Sequence, residues 1–282
     1  MRIKKIPEYL LVFFQDPAKI PHYFKYLISK ILWGHGMATI PLECKVRTST
    51  FSEYLSVYGL MPSEGEVNII LKYLNDAKDV FDIGANVGVW SVLMSKANPN
   101  ATIHSFEPNP ETFLLLQANI EQNNCLNVKS NNFAVSDTTE TLEFQVPENA
   151  SILGRVRPTK NVKDDDGRFD NSKTIEVQSL TLFDYCQQNS VEKIDFLKID
   201  IEGHELPALM SLELMLREHR VKAIHIETIE ANHIRMGSSY HALLEFLQSC
   251  GYQFFTIRDD NLYREPIPLD KISEHNHICL PI

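Results

Sequence analysis

Short apolar runs alternate with amphipathic segments along the chain from residue 64 onward. The apolar runs predict strands, which lie at 79–83, 101–106, 128–135, 194–199, 221–227, 252–257 and 277–280. Apolar residues at helical spacing predict helices, which lie at 64–75, 89–97, 109–123, 205–218 and 240–249. Strands that alternate with helices are typical of βαβ units. The pattern therefore predicts an α/β domain that is doubly wound around a mostly parallel sheet.

The alternation is interrupted in the middle of the chain. Residues 141–146 and 174–178 alternate between apolar and polar positions, which is typical of two paired strands. A polar, highly charged loop at 147–173 separates them. A loop of that length inside a domain is usually either disordered or a functional lid. We therefore expect an inserted hairpin that carries a lid.

The first 47 residues differ in character from the rest. They hold eight Lys or Arg and three Asp or Glu, and prolines at 17, 21 and 41 divide them into pieces that we predict to be helical. Between residues 22 and 33 apolar residues recur at helical spacing. We expect a basic helical extension at 1–47 and a main domain at 48–282. The extension either caps the main domain, which is the favoured interpretation, or makes a weak contact with a membrane surface through residues 1–33.

Composition restricts the classes of function. The 282-residue chain has a formal net charge of −10, which argues against a nucleic acid as partner because phosphates would be repelled. The five cysteines are an odd number without C-x-x-C spacing, which favours a reducing compartment. No stretch of about 20 apolar residues suits a membrane span. We predict a cytoplasmic protein, with attachment at the inner face of the membrane as an alternative. The sequence does not indicate its oligomeric state.

The first chemical motif follows the strand at 79–83. Asp82 ends an apolar run, and Gly84, Asn86 and Gly88 form a turn before a helix. A dinucleotide-binding fingerprint would need glycine at 86 and at 89, and position 89 is Val. An acid before the turn, followed by free N–H groups at a helix start, suits a ligand with an amino group and a carboxylate. The methionine end of S-adenosylmethionine is such a ligand.

The second motif places Glu107 at the end of the next predicted strand. In a doubly wound fold an acid at this place can accept hydrogen bonds from both ribose hydroxyls. This prediction does not separate nicotinamide cofactors from S-adenosylmethionine, because both contain the ribose.

The third motif, at 196–205, gathers three acids and a histidine at the carboxyl end of a strand, where open α/β sheets bind ligands. An alcohol does not ionise at neutral pH, so methylation of a hydroxyl needs a general base. Asp200 and His204 are the first candidates, and Glu227, at the end of the following strand, is the third. Glu205 can instead begin the next helix. The acids and histidines here fit no strong metal-binding signature, so we predict no metal.

The segments DIGANVGVWS, HSFEPNP, FAVSD and KIDIEGHE together resemble the FkbM family of methyltransferases, over about residues 60–257. The resemblance implies a Rossmann-like sheet of seven strands and the O-methylation of a sugar, glycan or secondary-metabolite hydroxyl. It also implies a cofactor site made of Asp82, Gly84, Asn86 and Gly88 for the methionine part, Glu107 for the ribose, Asn132 and Ala134 for the adenine, and Asp200 and Glu202 near the transferred methyl group.

Two other classes of function are considered. A nicotinamide-dependent oxidoreductase would share the fold, but the missing middle glycine and the 196–205 cluster disfavour it. A non-catalytic cofactor-binding module, attached through its basic N-terminus, would also share the fold, although the retained acids argue against it. The acceptor pocket is expected from residues 1–60, 147–173 and 228–240, which carry no readable motif.

Overall fold

A mostly parallel sheet forms the centre of the domain. The computed structural model describes residues 36–42, 44–48, 64–148, 154–158, 169–258, 261–262 and 276–282, together with Lys25, Leu27, Lys30, Ile31, Leu32 and Val57. Its strands are β1 Gly36–Thr39, β2 Lys45–Thr48, β3 Asp79–Ile83, β4 Thr102–Phe106, β5 Val128–Asn131, β6 Ala134–Val135, β7 Thr141–Pro147, β8 Arg155–Val156, β9 Ser172–Leu180, β10 Phe196–Ile199, β11 Ile224–Glu227, β12 Tyr252–Arg258, β13 Asn261–Leu262 and β14 Asn276–Pro281. Its helices are α1 Glu64–Leu74, α2 Val89–Ala97, α3 Pro110–Gln122, α4 Leu182–Gln188, α5 Glu205–Met210, α6 Glu213–Arg217, α7 Glu230–Arg235 and α8 Tyr240–Ser249.

The central sheet has the strand order β13-β12-β14-β11-β10-β3-β4-β5. From β11 to β5 neighbouring strands pair in parallel, whereas β14 pairs antiparallel with both β11 and β12. The two-residue β13 only extends the edge beside the end of β12. The predicted doubly wound sheet of seven strands is therefore confirmed, with β13 as a short addition.

Both faces of this sheet are covered, because successive side chains of a strand point to opposite faces. On one face Val80 and Phe196 pack against α1 and α2. On the other face Phe81 and Leu197 pack against α4, α5 and α8. All four residues of β10 are buried. Burial on both faces explains why apolar side chains occupy adjacent positions in β3 and β10.

The predicted inserted hairpin is present. β7 and β9 pair antiparallel, from Thr141 opposite Gln178 to Pro147 opposite Ser172. β8 pairs with β7, and β6 pairs in parallel with β9, which completes a second sheet of four strands. Most of the predicted lid at 147–173 lies outside the described residues, so its role stays a prediction.

Two predicted elements are divided in the structure. The strand predicted at 128–135 separates into β5, in the central sheet, and β6, in the inserted sheet. The helix predicted at 205–218 separates into α5 and α6. Ser211 causes a break there, since its hydroxyl donates to the carbonyl of Ala208 at 2.6 Å and accepts from the N–H of Leu182 at 3.1 Å. The short helices α4 and α7 were not predicted.

The end of the N-terminal extension is a hairpin, not the helical piece predicted within 1–47. β1 and β2 pair antiparallel around a turn that contains Pro41. Side chains of α3 hold this hairpin: the N–H of Arg47 donates to Asn119 at 2.6 Å, and that of Lys45 donates to Asn123 at 3.0 Å. The proposed membrane contact of residues 1–33 falls almost wholly outside the described residues. Within the described ones, no helix combines the length and apolar character needed to cross a membrane.

Candidate active site

A cavity opens at the carboxyl ends of β3, β4 and β10. The space inside it is about 970 Å³, including the part open to solvent. All three sequence motifs contribute to its wall, and so does the inserted sheet. The carboxyl ends of parallel strands are where open α/β sheets bind their ligands.

The turn after β3 brings main chain to the cavity wall. Gly84 has a φ of +79°, and a Cβ atom there would lie 2.0 Å from the carbonyl oxygen of Asp200. The N–H groups of Gly84 and Ala85 both donate to the carbonyl of Phe106, at 3.1 and 2.9 Å. Glycine is required at 84 because the turn presses directly against the end of β10. Gly84 and Asn86 line the cavity as predicted.

Gly88 was predicted to contact a ligand, but it does not line the cavity. Its φ is +93°, and a Cβ atom there would lie 2.7 Å from Cδ1 of Leu116 on α3. The glycine is therefore needed for packing between α2 and α3, and its part in cofactor binding stays a prediction.

A further predicted site residue is Asp82. Its side chain is fully buried and does not line the cavity, so its contact with the methionine part of the cofactor stays a prediction. One carboxylate oxygen accepts from the hydroxyl of Ser91 at 2.5 Å, while the other has no hydrogen-bond partner. Burial raises the pKa of Asp82, and nearby Lys198 opposes the rise. Asp82 thus lies behind the wall and supports the turn.

Glu107 lies at the cavity as predicted. Its Oε2 accepts from the N–H of Asn86 at 3.0 Å and its Oε1 from the N–H of Asn109 at 2.9 Å. Burial raises its pKa to about 7, although these two N–H groups oppose the rise. A carboxylate oxygen has more than one acceptor position, so both oxygens can still accept from a ligand hydroxyl.

The wall beyond Glu107 is apolar. Ala134 lines it as predicted, together with Phe133, and Phe144 approaches from the inserted sheet. Asn132 does not line the cavity, and its predicted place by the adenine stays a prediction. Its side-chain amide instead donates to the carbonyls of Glu107 and Pro108, at 2.8 and 3.0 Å. Asn132 therefore fixes the segment that carries Glu107.

The turn after β10 supplies acids to the cavity. Asp200 and Glu202 both line it, as predicted. Glu202 has a φ of +57° and accepts from the side chain of Asn232 at 3.0 Å. The next residue, Gly203, packs so closely that a Cβ atom would lie 2.4 Å from the carbonyl oxygen of Asn232. The loop that contains α7 is therefore joined to the acidic turn.

His204 lines the same cavity and is 9% exposed. Its Nε2 lies 2.9 Å from the hydroxyl of Ser136, and that hydroxyl donates to Asp137 at 3.1 Å. The other ring nitrogen, Nδ1, is buried and has no hydrogen-bond partner among the described residues. Burial lowers the pKa of His204 to about 4. The imidazole is neutral at physiological pH but weakly basic.

Two more acids are near the turn but outside the cavity wall. Glu205 is 1% exposed, and its carboxylate accepts from the N–H groups of Ile201 and Gly203, at 2.8 and 3.3 Å. Glu227, the third candidate base, is likewise absent from the described lining residues. Burial raises its pKa to about 9, with further contributions from Asp200 and Glu202. The structure therefore brings Asp200 and His204 to the cavity but leaves Glu227 beside it.

Sequence reasoning missed several residues of the wall, among them Lys198 and Trp90. Lys198 is 3% exposed, in the middle of a buried strand. A lysine within an otherwise apolar run was a usable signal, because a buried lysine requires partners. Among the residues that the structure describes, no three His, Cys, Asp or Glu side chains could together hold a metal ion.

Comparisons with known proteins agree with the motifs. The family model described as Methyltransferase FkbM domain matches residues 82–254. Methyltransferase sdnD of Sordaria araneosa is 31% identical over 189 residues, which span 59% of this chain and 71% of that protein. The 31-O-demethyl-FK506 methyltransferase FkbM of Streptomyces tacrolimicus is 25% identical over 154 residues, spanning 48% of this chain and 59% of the relative.

A solved structure has also been matched. The crystal structure of Methyltransferase FkbM from Methylobacillus flagellatus KT is 15% identical, with a TM-score of 0.45. The match covers 73% of this chain and 44% of that chain.

Proposed function

The chain belongs to the FkbM methyltransferase family, and we propose that it uses S-adenosylmethionine to methylate a hydroxyl group of a sugar, a glycan or a secondary metabolite. The observation that carries this proposal is the convergence of three motifs on one cavity, where Gly84, Glu107 and Asp200 form adjoining parts of the wall. The Streptomyces relative is by name an O-demethyl-FK506 methyltransferase, which supports oxygen as the methylated atom.

The residues present fit the proposed cofactor. The close approach of Gly84 leaves main chain, without a side chain, beside the place for the methionine part. Glu107 keeps acceptor positions for the ribose hydroxyls, and the wall at Phe133 and Ala134 is apolar enough for a purine. When bound, S-adenosylmethionine supplies an electrophilic methyl group on a positively charged sulfur.

Charge disfavours the nicotinamide alternative. Glu107, Asp200 and Glu202 line the cavity, and Lys198 is the only Lys or Arg among its described lining residues. A wall rich in carboxylates repels the pyrophosphate of a dinucleotide and attracts a cationic ligand.

The positions of the candidate residues indicate which of them acts as the general base. Asp200 lines the cavity at the end of β10, and its carboxylate can receive the proton of an acceptor hydroxyl. His204 is poorly placed to take that proton, because its Nε2 lies 2.9 Å from the hydroxyl of Ser136 and its Nδ1 is buried, and Glu227 lies outside the wall. We therefore assign the role of general base to Asp200, with His204 as a binding residue.

The partner is a small molecule or glycan rather than a nucleic acid, because the chain is acidic. The test is to incubate the protein with methyl-labelled S-adenosylmethionine and a panel of glycans and hydroxylated metabolites. Transfer of label to an acceptor oxygen, identified by mass spectrometry, supports the proposal. Cofactor binding without transfer to any member of a broad panel favours the non-catalytic module, and oxidation of NADH favours the oxidoreductase.

A further inference from the structure

Lys198 is a buried cation in the wall of a site that we propose for a cationic ligand. It is 3% exposed and lies in β10, two residues before Asp200. No step of the proposed reaction assigns it a role. A buried lysine is costly unless charged groups compensate it, so its surroundings should reveal why it is tolerated.

Three oxygen atoms surround the ammonium group of Lys198. Its Nζ lies 3.4 Å from the carbonyl oxygen of Gly84, 3.4 Å from Oδ2 of Asp200 and 3.9 Å from Oδ1 of Asp82. This Oδ1 is the Asp82 oxygen that lacks a hydrogen bond. Lys198 therefore connects the glycine turn with the acidic turn and is a counter-ion to two carboxylates.

The ammonium group is charged in this environment. Burial by itself would lower the pKa of Lys198, but the negative charges of Asp200 and Asp82 outweigh burial and raise it above its ordinary value. Charges buried in this way are screened far less by salt than charges at the surface. A ligand in the cavity therefore experiences a fixed positive charge among the acids.

We propose that Lys198 competes with the sulfonium of the cofactor for the carboxylate of Asp200, and thereby weakens binding of the cofactor relative to its product, in which the sulfur carries no charge. This inference rests on the proposed function. S-adenosylmethionine and S-adenosylhomocysteine differ by one methyl group and by the positive charge on sulfur. A fixed cation in the wall therefore repels the sulfonium of S-adenosylmethionine but not the neutral sulfur of S-adenosylhomocysteine.

The competition has a consequence for catalysis. The positive charge on sulfur disappears as the methyl group moves to the acceptor, so Lys198 disfavours the starting state more than the transition state. An interaction that is less unfavourable in the transition state than in the ground state increases the rate. Lys198 is thus a specificity-determining residue for the charge of the ligand. A purely structural lysine would instead support the binding of both ligands equally.

The test is calorimetric titration of both ligands at pH 8 into the wild-type protein and three variants. Lys198→Met removes the charge, Lys198→Arg keeps it, and Lys222→Met removes an exposed lysine at the opposite end of the neighbouring strand. We expect Lys198→Met to raise the affinity for S-adenosylmethionine relative to S-adenosylhomocysteine by about tenfold. Lys198→Arg and Lys222→Met should keep the wild-type ratio.

A ratio that stays within about twofold of wild type in Lys198→Met would overturn the inference, even if both affinities fall. Thermal unfolding verifies that each variant is folded. If Lys198→Met does not fold, Lys198→Gln provides the same comparison while keeping a donor for the carbonyl of Gly84. Failure of the wild-type protein to bind either ligand would instead contradict the proposed function, which separates the two claims.

Discussion

A Cβ atom placed on Gly84 would lie 2.0 Å from the carbonyl oxygen of Asp200. The turn of the first motif and the strand end of the third motif are thus in direct backbone contact, although 116 positions of sequence separate them. Neither can move without the other. The place proposed for the methionine part and the proposed base therefore have a fixed relation to each other.

This contact makes Gly84→Ala a severe substitution. Alanine would be strained at a φ of +79° and would also overlap the main chain of Asp200, so we expect a loss of stability above about 2 kcal/mol together with loss of cofactor binding. Gly237 has the same φ of +79°. The control Gly237→Ala therefore reports the conformational cost alone. If urea unfolding showed equal losses of stability for Gly84→Ala and Gly237→Ala, the close contact between Gly84 and the main chain of Asp200 would be contradicted.

Ser91 supports the buried carboxylate of Asp82. Ser91→Ala removes a hydrogen bond to a charged group, and we expect it to lower the free energy of unfolding by about 1–3 kcal/mol. The control is Ser95→Ala on the same helix, because Ser95 donates to the neutral amide oxygen of Asn127 at 2.6 Å. Its expected loss is smaller, about 0.5–1.5 kcal/mol. A larger loss for Ser95→Ala in denaturant unfolding would show that Asp82 does not depend on Ser91.

Glu227 should make stability depend on pH. Burial and the neighbouring acids raise the pKa of Glu227 to about 9, whereas its pKa in the unfolded chain is the ordinary 4.5. The folded state therefore keeps this proton longer, and the stability from Glu227 is present below pH 4.5 and lost as the pH rises through about 9. Glutamine cannot ionise, so the stability of Glu227→Gln relative to wild type should rise by up to about 1.4 kcal/mol for each pH unit between pH 5 and 9.

Unfolding in denaturant at pH 5, 7 and 9 measures this change, with the exposed Glu192→Gln as control. A difference between Glu227→Gln and wild type that is constant over this pH range would contradict the raised pKa of Glu227.

Asp200→Asn separates binding from transfer. Asparagine keeps the size of the side chain but cannot take the hydroxyl proton, so methyl transfer should fall by about 10²–10⁴-fold. The affinity for uncharged S-adenosylhomocysteine should change by less than about tenfold. His204→Asn should retain most of the transfer activity. The reverse pattern, in which His204→Asn loses transfer and Asp200→Asn keeps it, would assign the base to His204.

Local signals were sufficient for the sheet and for much of the site. The mostly apolar segment of β3 predicts a strand by itself, and Gly84 and Glu107 follow strands at the positions where such folds bind ligands. These predictions succeed because each depends only on a few neighbouring residues. Asp200 was found for the same reason.

The remaining features depend on contacts between distant segments. The buried carboxylate of Asp82 accepts a hydrogen bond from the hydroxyl of Ser91 on the following helix, α2. The β1–β2 hairpin is held by Asn119 and Asn123, more than 70 positions away. Phe144 reaches the cavity only because the inserted sheet packs over it. The hydrophobic periodicity of the sequence does not indicate contacts between separate segments, so the roles of these residues could be recognised only in the structure.

The most direct test of the central claim is calorimetric titration of the protein with S-adenosylhomocysteine, beside NADH and a Glu107→Ala variant. We predict binding in the micromolar range for S-adenosylhomocysteine, loss of that binding in Glu107→Ala, and no binding of NADH. Absence of S-adenosylhomocysteine binding, or clear binding of NADH, would contradict the assignment of this cavity to S-adenosylmethionine.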